Sequence, residues 1–263
     1  MLKNKLGWMA AVLLCTGCSQ VGSVVGKAPP DLAMPNQINV VFNHNTRSRY
    51  RSPLTGDWRN GDDMEAWLVD AIDAANEEVL VAVQELSLPK IAQALIAAQQ
   101  RGVHVAVVLE NNYSQAWSKL WPSRLNRRGR QRWHQLNKLA DSNGDGSTSS
   151  EEAFLGDAIA LLQAANIPLI DDTEDGSSGS GLMHHKFLVI DNKTVVTGSF
   201  NCSPSAAHTN DETLLVIHSP QLAKHFAREM DHLWDTAELG ITPRIQRKLE
   251  RQKIRCGDGT ERE

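Results

Sequence analysis

The chain predicts an α/β fold, with a mixed, mostly parallel β-sheet flanked by helices on both faces. Three observations point there. Apolar runs of strand length alternate with segments of helical spacing from Ile38 to Ile170. Two β-rich runs, FLVI and TVV, lie on either side of Asp191-Asn192-Lys193 and read as strands joined by a tight turn. An amphipathic helical segment, Gln221 to Trp234, closes the pattern with Leu222, Phe226, Met230 and Leu233 aligned.

The elements follow in chain order. Ile38 to Phe42 reads as a first strand. Asp62 to Asn76 carries Met64, Trp67, Leu68, Ala71 and Ile72 at helical spacing behind an acidic start. Val79 to Val83 is a short apolar strand. Pro89 opens a helix whose stripe is Ile91, Ala94, Leu95 and Ala98, and Gly102 supplies its stop. Val103 to Leu109 is a buried strand, so this part of the chain is a βαβ unit with parallel strands. An insertion over 113–153 contains helical sequence from Gln131 to Ala140. A helix from Phe154 to Ala165 and a strand from Ile167 to Ile170 resume the alternation. Asp171 to Gly181 is a loop rich in Asp, Gly and Ser, readable as a mobile lid or a plain connection. Thr213 to Ile217 is a further strand.

The chemistry concentrates in His184 to Asn201, HHKFLVIDNKTVVTGSFN. His184 and Lys186 are two apart on a strand and project to one side. Asp191 has the opposite parity and reads as a turn or support residue. Ser199 and Asn201 share a face beyond the second strand, and Glu212 supplies a carboxylate downstream. The hairpin brings the two pairs together. A nucleophile, a fixed cation, neutral donors and an acid are what phosphodiester chemistry requires, and no metal is needed to complete the set.

H-x-K-x4-D followed by G-S-x-N resembles the HKD signature of the phospholipase D superfamily, in the single-motif branch that includes nucleases and cardiolipin hydrolases. The resemblance runs from about Ile38 to Asp235. It implies a phospholipase D-like fold over 37–236, a covalent phosphohistidine and no catalytic metal. His184 would attack phosphorus. Lys186, Ser199 and Asn201 would hold the non-bridging oxygens, Glu212 would orient the imidazole, and Asp191 would support it. Two chains of single-motif members pair, so a homodimer would supply a second His184 to protonate the leaving oxygen. The substrate class, nucleic acid or phospholipid, stays open, as does a silent calcium-dependent binding lipoprotein.

A second motif lies in the insertion. Asp141, Asn143, Asp145, Ser147, Ser149 and Glu152 stand at positions one, three, five, seven, nine and twelve of a loop with Gly146 at six. This resembles the EF-hand loop, with Ser147 offering its backbone carbonyl and Glu152 binding in bidentate fashion. Thr148 occupies a place usually held by an apolar β-branched residue. The resemblance implies a structural Ca²⁺, with a stabilising or docking role outside the chemistry, and a plain polar surface turn is the other reading. A lone loop on an exported chain would bind weakly, on the order of 10⁻⁴ to 10⁻³ M.

Net charge is −4 over 263 residues, which excludes a global basic field. Basic residues are clustered instead at Arg47, Arg49 and Arg51, at Arg124, Arg127, Arg128, Arg130 and Arg132, and at Arg244, Arg247, Lys248, Arg251, Lys253 and Arg255 within a helical tail, 237–263. Each cluster could meet a polyanion or an anionic lipid surface, or be a solvated helix face. Trp117, Trp121 and Trp133 accompany the second. At the N-terminus, Lys3 and Lys5 precede the apolar run Leu6 to Leu14, too short to span a bilayer. Residues 1–18 read as a signal peptide ending in Thr16-Gly17-Cys18, which resembles a lipobox although Cys15 stands where leucine is usual. Residues 19–36 read as a tether. The expectation is an exported lipoprotein held to a membrane, the outer one, by a lipid on Cys18, or otherwise a periplasmic or secreted protein. Cys202 and Cys256 then remain, either paired or separate.

Overall fold

The computed structural model describes residues 36–172 and 182–236. The expected signal segment, nearly all of the tether, the basic tail with Cys256, and most of the Asp171–Gly181 loop lie outside the described residues.

Nine strands and seven α-helices are described: β1 Ile38–Phe42, β2 Arg49–Arg51, β3 Trp58–Asn60, α1 Met64–Asp73, β4 Glu78–Val83, α2 Pro89–Gln100, β5 His104–Glu110, α3 Arg127–Ala140, α4 Ser150–Leu155, α5 Ala158–Ala164, β6 Leu169–Asp172, β7 Lys186–Ile190, β8 Thr194–Gly198, α6 Pro204–His208, β9 Thr213–His218 and α7 Pro220–Thr236. Seven strands form one mixed sheet in the order β1-β9-β8-β7-β4-β5-β6, and β2 pairs with β3 alone.

Strands β1, β4, β5, β6 and β8 run one way and β7 and β9 the other, yet only β4–β5 and β5–β6 are parallel neighbours. The expectation of a mostly parallel sheet is corrected in that respect. Parallel neighbours need a helix that recrosses the sheet, which α2 and α5 provide. The β7–β8 connection is a tight turn and forces antiparallel pairing.

Strand parity sends alternate side chains into two cores. Val79, Val81 and Val83 of β4 meet α1, α2 and α5, together with Leu188 and Ile190 of β7. Leu80 and Ala82 meet the other core with Phe187, Val189 and the α7 residues Ala223, Met230 and Leu233. Helices therefore cover both faces.

The single helix expected over Phe154–Ala165 is two. Asp157, fully buried, turns its carboxylate onto the N–H groups of Ile159 and Ala160 at 3.1 and 3.2 Å and starts α5 afresh. The same carboxylate accepts from Ser118 N at 2.8 Å and ties the insertion to the body. The β2–β3 pair and α6 carry no strong period in the sequence. Each is five residues or shorter.

Candidate active site

The hairpin opens at the carboxyl edge of β4, β5 and β8, where α/β sheets present their sites. Lys186 is the first residue of β7, opposite Val83. Its Nζ donates to His184 O at 3.1 Å and lies 3.4 and 3.5 Å from the two imidazole nitrogens. The expected pairing of His184 with Lys186 on one side is thus formed. His185 turns to the other face, against Glu229 of α7 at 3.2 Å and the Phe187 ring.

Burial pulls the Lys186 ammonium below the ordinary lysine pKa, and the charge of Glu212 draws it partly back. Glu212 and Lys186 therefore feel one another. The Glu212 carboxylate accepts from Ser199 Oγ and from Asn210 Nδ2 at 3.0 Å. Among the described residues no hydrogen bond joins it to His184; its oxygens accept from Ser199 and Asn210 instead.

Ser199 reaches Glu212 because β8 and β9 approach closely at Gly198. There φ is 156°, and a Cβ would stand 2.0 Å from Thr213 O. Thr213 N then donates to Ser199 Oγ at 3.1 Å.

Asn201 lies at the end of the adjoining loop, with Nδ2 3.5 Å from Gln84 Oε1. Its buried Oδ1 has no partner, an unmet acceptor at the mouth of the site. Gln84 belongs to no motif in the sequence, and its one signal is that it is the first polar residue after the apolar strand run.

Asp191 does not join this group. It sits at the far end of β7, roughly 17 Å along the strand from Lys186 at about 3.3 Å per residue. Asp191 and Asn192 both have positive φ, 52° and 50°, and Lys193 N closes the turn on Ile190 O at 3.0 Å. This is the primed turn that matches strand twist, and Asp and Asn tolerate it.

A groove of about 740 Å³ runs from Asn201 beneath the insertion. Carboxamides line it from both sides, Gln84 and Asn112 from the body, Asn126, Gln131 and Gln135 from the insertion, with Arg128 beside them. Arg132 points inward, its Nε 2.7 Å from Glu85 and its guanidinium over the Tyr113 ring. Trp117 and Trp133 pack edge to face and serve the insertion's own core, while Trp121 is exposed. Cys202 is buried with a free thiol, which burial pushes up to about 12.

The loop after α3 keeps the expected ligands on its surface. Asp141 accepts from Gly144 N and Gly146 N, Asn143 from Asp145 N, and Asp145 from Ser147 N and Oγ. Ser149 and Glu152 form a reciprocal helix cap. Hydrogen bonds from Ser149 N and Oγ, then Ser142, hold the Glu152 carboxyl down at about 2. Among the described residues no three acidic, histidine or cysteine side chains converge as a metal site.

A model of the "Cardiolipin synthase, PLD-like domain" family matches residues 68–234. The chain is 26% identical over 177 residues to a mitochondrial cardiolipin hydrolase of Xenopus tropicalis, covering 66% of this chain and 64% of that protein. It is 29% identical over 161 residues to a phospholipase D of Rickettsia prowazekii, covering 61% and 57%. It thus spans less than two thirds of either relative's length. Among solved structures it is similar to Nuc, a phospholipase D family member from Salmonella typhimurium, with 23% identity, 76% of this chain and 95% of that chain covered, and a TM-score of 0.47. The family match takes in more than half of the residues, and the chain belongs to the phospholipase D superfamily through its cardiolipin synthase, PLD-like domain.

Proposed function

We propose that the chain is a phosphodiesterase that works through a phosphohistidine at His184. The observation that carries this is the Lys186 ammonium 3.4 Å from the His184 ring on the sheet's carboxyl edge. A ring nitrogen of His184 attacks phosphorus, the P–O bond to the leaving group breaks, and that oxygen takes a proton. Water then displaces the histidine. Lys186 neutralises the charge that builds on the non-bridging oxygens. The acid is the second His184 of a homodimer.

The favoured substrate is nucleic acid. Carboxamides and arginine, as in the groove, are the side chains that meet base edges and phosphates. Exposed Leu182, at the groove, and exposed Trp121 favour a phospholipid reading instead. Turnover of bis(p-nitrophenyl) phosphate should vanish in His184→Ala. A folded protein with no turnover would be a binding lipoprotein and would end the enzymatic reading. Oligonucleotide and cardiolipin vesicles assayed side by side decide the substrate.

Two further expectations belong to the same proposal. Ca²⁺ binds the Asp141–Glu152 loop, supported by its flanking helices, by Gly146 at φ 87° and by an all-oxygen donor set. Calorimetric titration that shows no heat with Ca²⁺ sinks it. Cys18 carries a lipid that anchors the exported protein, which palmitate labelling of the wild type but not of Cys18→Ala would support.

A further inference from the structure

We infer that Asn43 is the residue that positions Glu212, an inference that rests on the proposed reaction. Asn43 is fully buried and lies just past the end of β1, in the register position opposite Glu212. The backbone ladder continues one step through Asn43 N to Glu212 O at 3.4 Å. The return bond comes from the side chain, since Glu212 N donates to Asn43 Oδ1 at 2.7 Å.

The other half of the carboxamide is used as fully. Nδ2 donates to Ala206 O at 2.7 Å and to Asn210 O at 3.1 Å. One side chain thus ties α6, the loop after it and the amide of Glu212 to the end of β1. Asn210 in turn donates to the Glu212 carboxylate, so the same anchor sets both the backbone and a side-chain partner of Glu212.

Arg59 of β3 adds a second grip. Its guanidinium donates to His208 O and Asn210 O, and its Nε to Asn43 O at 3.4 Å. Gly61 lets these segments meet. Its φ is 138°, and a Cβ would stand 2.0 Å from Asn43 O. The short β2–β3 pair therefore has a purpose beyond its own two strands. It braces the loop that presents Glu212 to Lys186. Asn43 is buried beneath that loop and acts through Glu212.

Aspartate is the diagnostic replacement. It keeps the shape of asparagine but would turn an oxygen toward the carbonyls of Ala206 and Asn210, both acceptors. With bis(p-nitrophenyl) phosphate, Asn43→Asp should lose about 10- to 100-fold in kcat, as small displacements of catalytic groups do. KM should stay within about twofold, since no substrate contact is removed.

In a Glu212→Gln background the same substitution should cause no further loss, because two residues acting as a unit are not additive. Wild-type kcat in Asn43→Asp overturns the inference, as does an equal loss with and without Glu212. If Asn43→Asp gives no cooperative melt, Arg59→Gln takes its place under the same two readouts. Failure of the reaction itself shows separately, as turnover that survives His184→Ala.

Discussion

At the turn of the β7–β8 hairpin the Asp191 carboxylate accepts the backbone N–H groups of Asn76, Glu77 and Glu78 at 3.1, 2.7 and 3.0 Å, while Lys193 pairs with Glu77 and Asn192 with Glu78. At the open end Lys186 stands beside an imidazole, and no carboxylate among the described residues is within ion-pair distance of it. Asn201 Oδ1 there is buried and unpaired. Both ends carry a lysine, an asparagine and an acid within reach. Polarity does not distinguish them. What differs is how much hydrogen-bonding capacity is spent on the protein. The open end spends part of it, on His184 O and on Glu212, but leaves Asn201 Oδ1 without a partner and Lys186 without a carboxylate. The turn end fastens the start of β4 to the hairpin, and the open end holds capacity in reserve at the edge where chemistry is proposed.

Substitutions at the two ends should therefore give opposite signatures. Lys186→Ala removes the cation that faces the non-bridging oxygens and should lower kcat by about 10²- to 10³-fold, the range for losing one transition-state donor. Folding stability should barely change, because the ammonium satisfies no carboxylate in the folded chain. Turnover of bis(p-nitrophenyl) phosphate and a urea melt on one preparation check both halves. A stability loss as large as that of the Asp191 variant would erase the contrast.

The hairpin was legible because a period of two, a turn-forming triplet and a strict register all act locally. Parity alone separated Asp191 from His184. The partners of Glu212 and Asn201 were not legible. Gln84 meets Asn201 only because Leu86 bridges Cys202 across 116 residues, and Asn43 meets Glu212 across 169. Such pairings arise from sheet order, which a strand pattern leaves undetermined when β1 and β9 lie at opposite ends of the chain. The break at Gly156-Asp157 was hidden for a related reason. Asp157 reads as one polar residue in a helical stripe until Ser118 and the new helix claim its carboxylate.

Asp191→Ala should spare turnover, with kcat within about twofold, and cost about 0.5–1.5 kcal/mol of stability, the range for the net loss of a hydrogen bond, because the freed N–H groups of Asn76 and Glu77 are exposed and turn to water. Chemical denaturation at neutral pH measures it. The loss should appear in the midpoint with the slope retained, because the native fold is weakened and not rearranged. Full stability with reduced turnover would move Asp191 into the catalytic group and collapse the distinction between the two ends.

The smallest expected effect is its pH dependence. Burial pushes the Asp191 carboxyl up, but the N–H groups of Glu78, Glu77 and Asn76 outweigh it and hold the pKa below the ordinary aspartate value. A carboxyl whose pKa is depressed by folding stabilises the fold in full above its unfolded pKa, about 3.9, and loses that contribution as pH falls through the folded value. The stability difference between wild type and Asp191→Asn should accordingly be constant from neutral pH to about pH 5 and shrink below about pH 4. Taking the difference cancels the other carboxylates, which titrate alike in both proteins. A gap that persists unchanged to pH 3 would mean that shape, not charge, holds the turn, and the N–H cluster around Asp191 would then be packing with no electrostatic share.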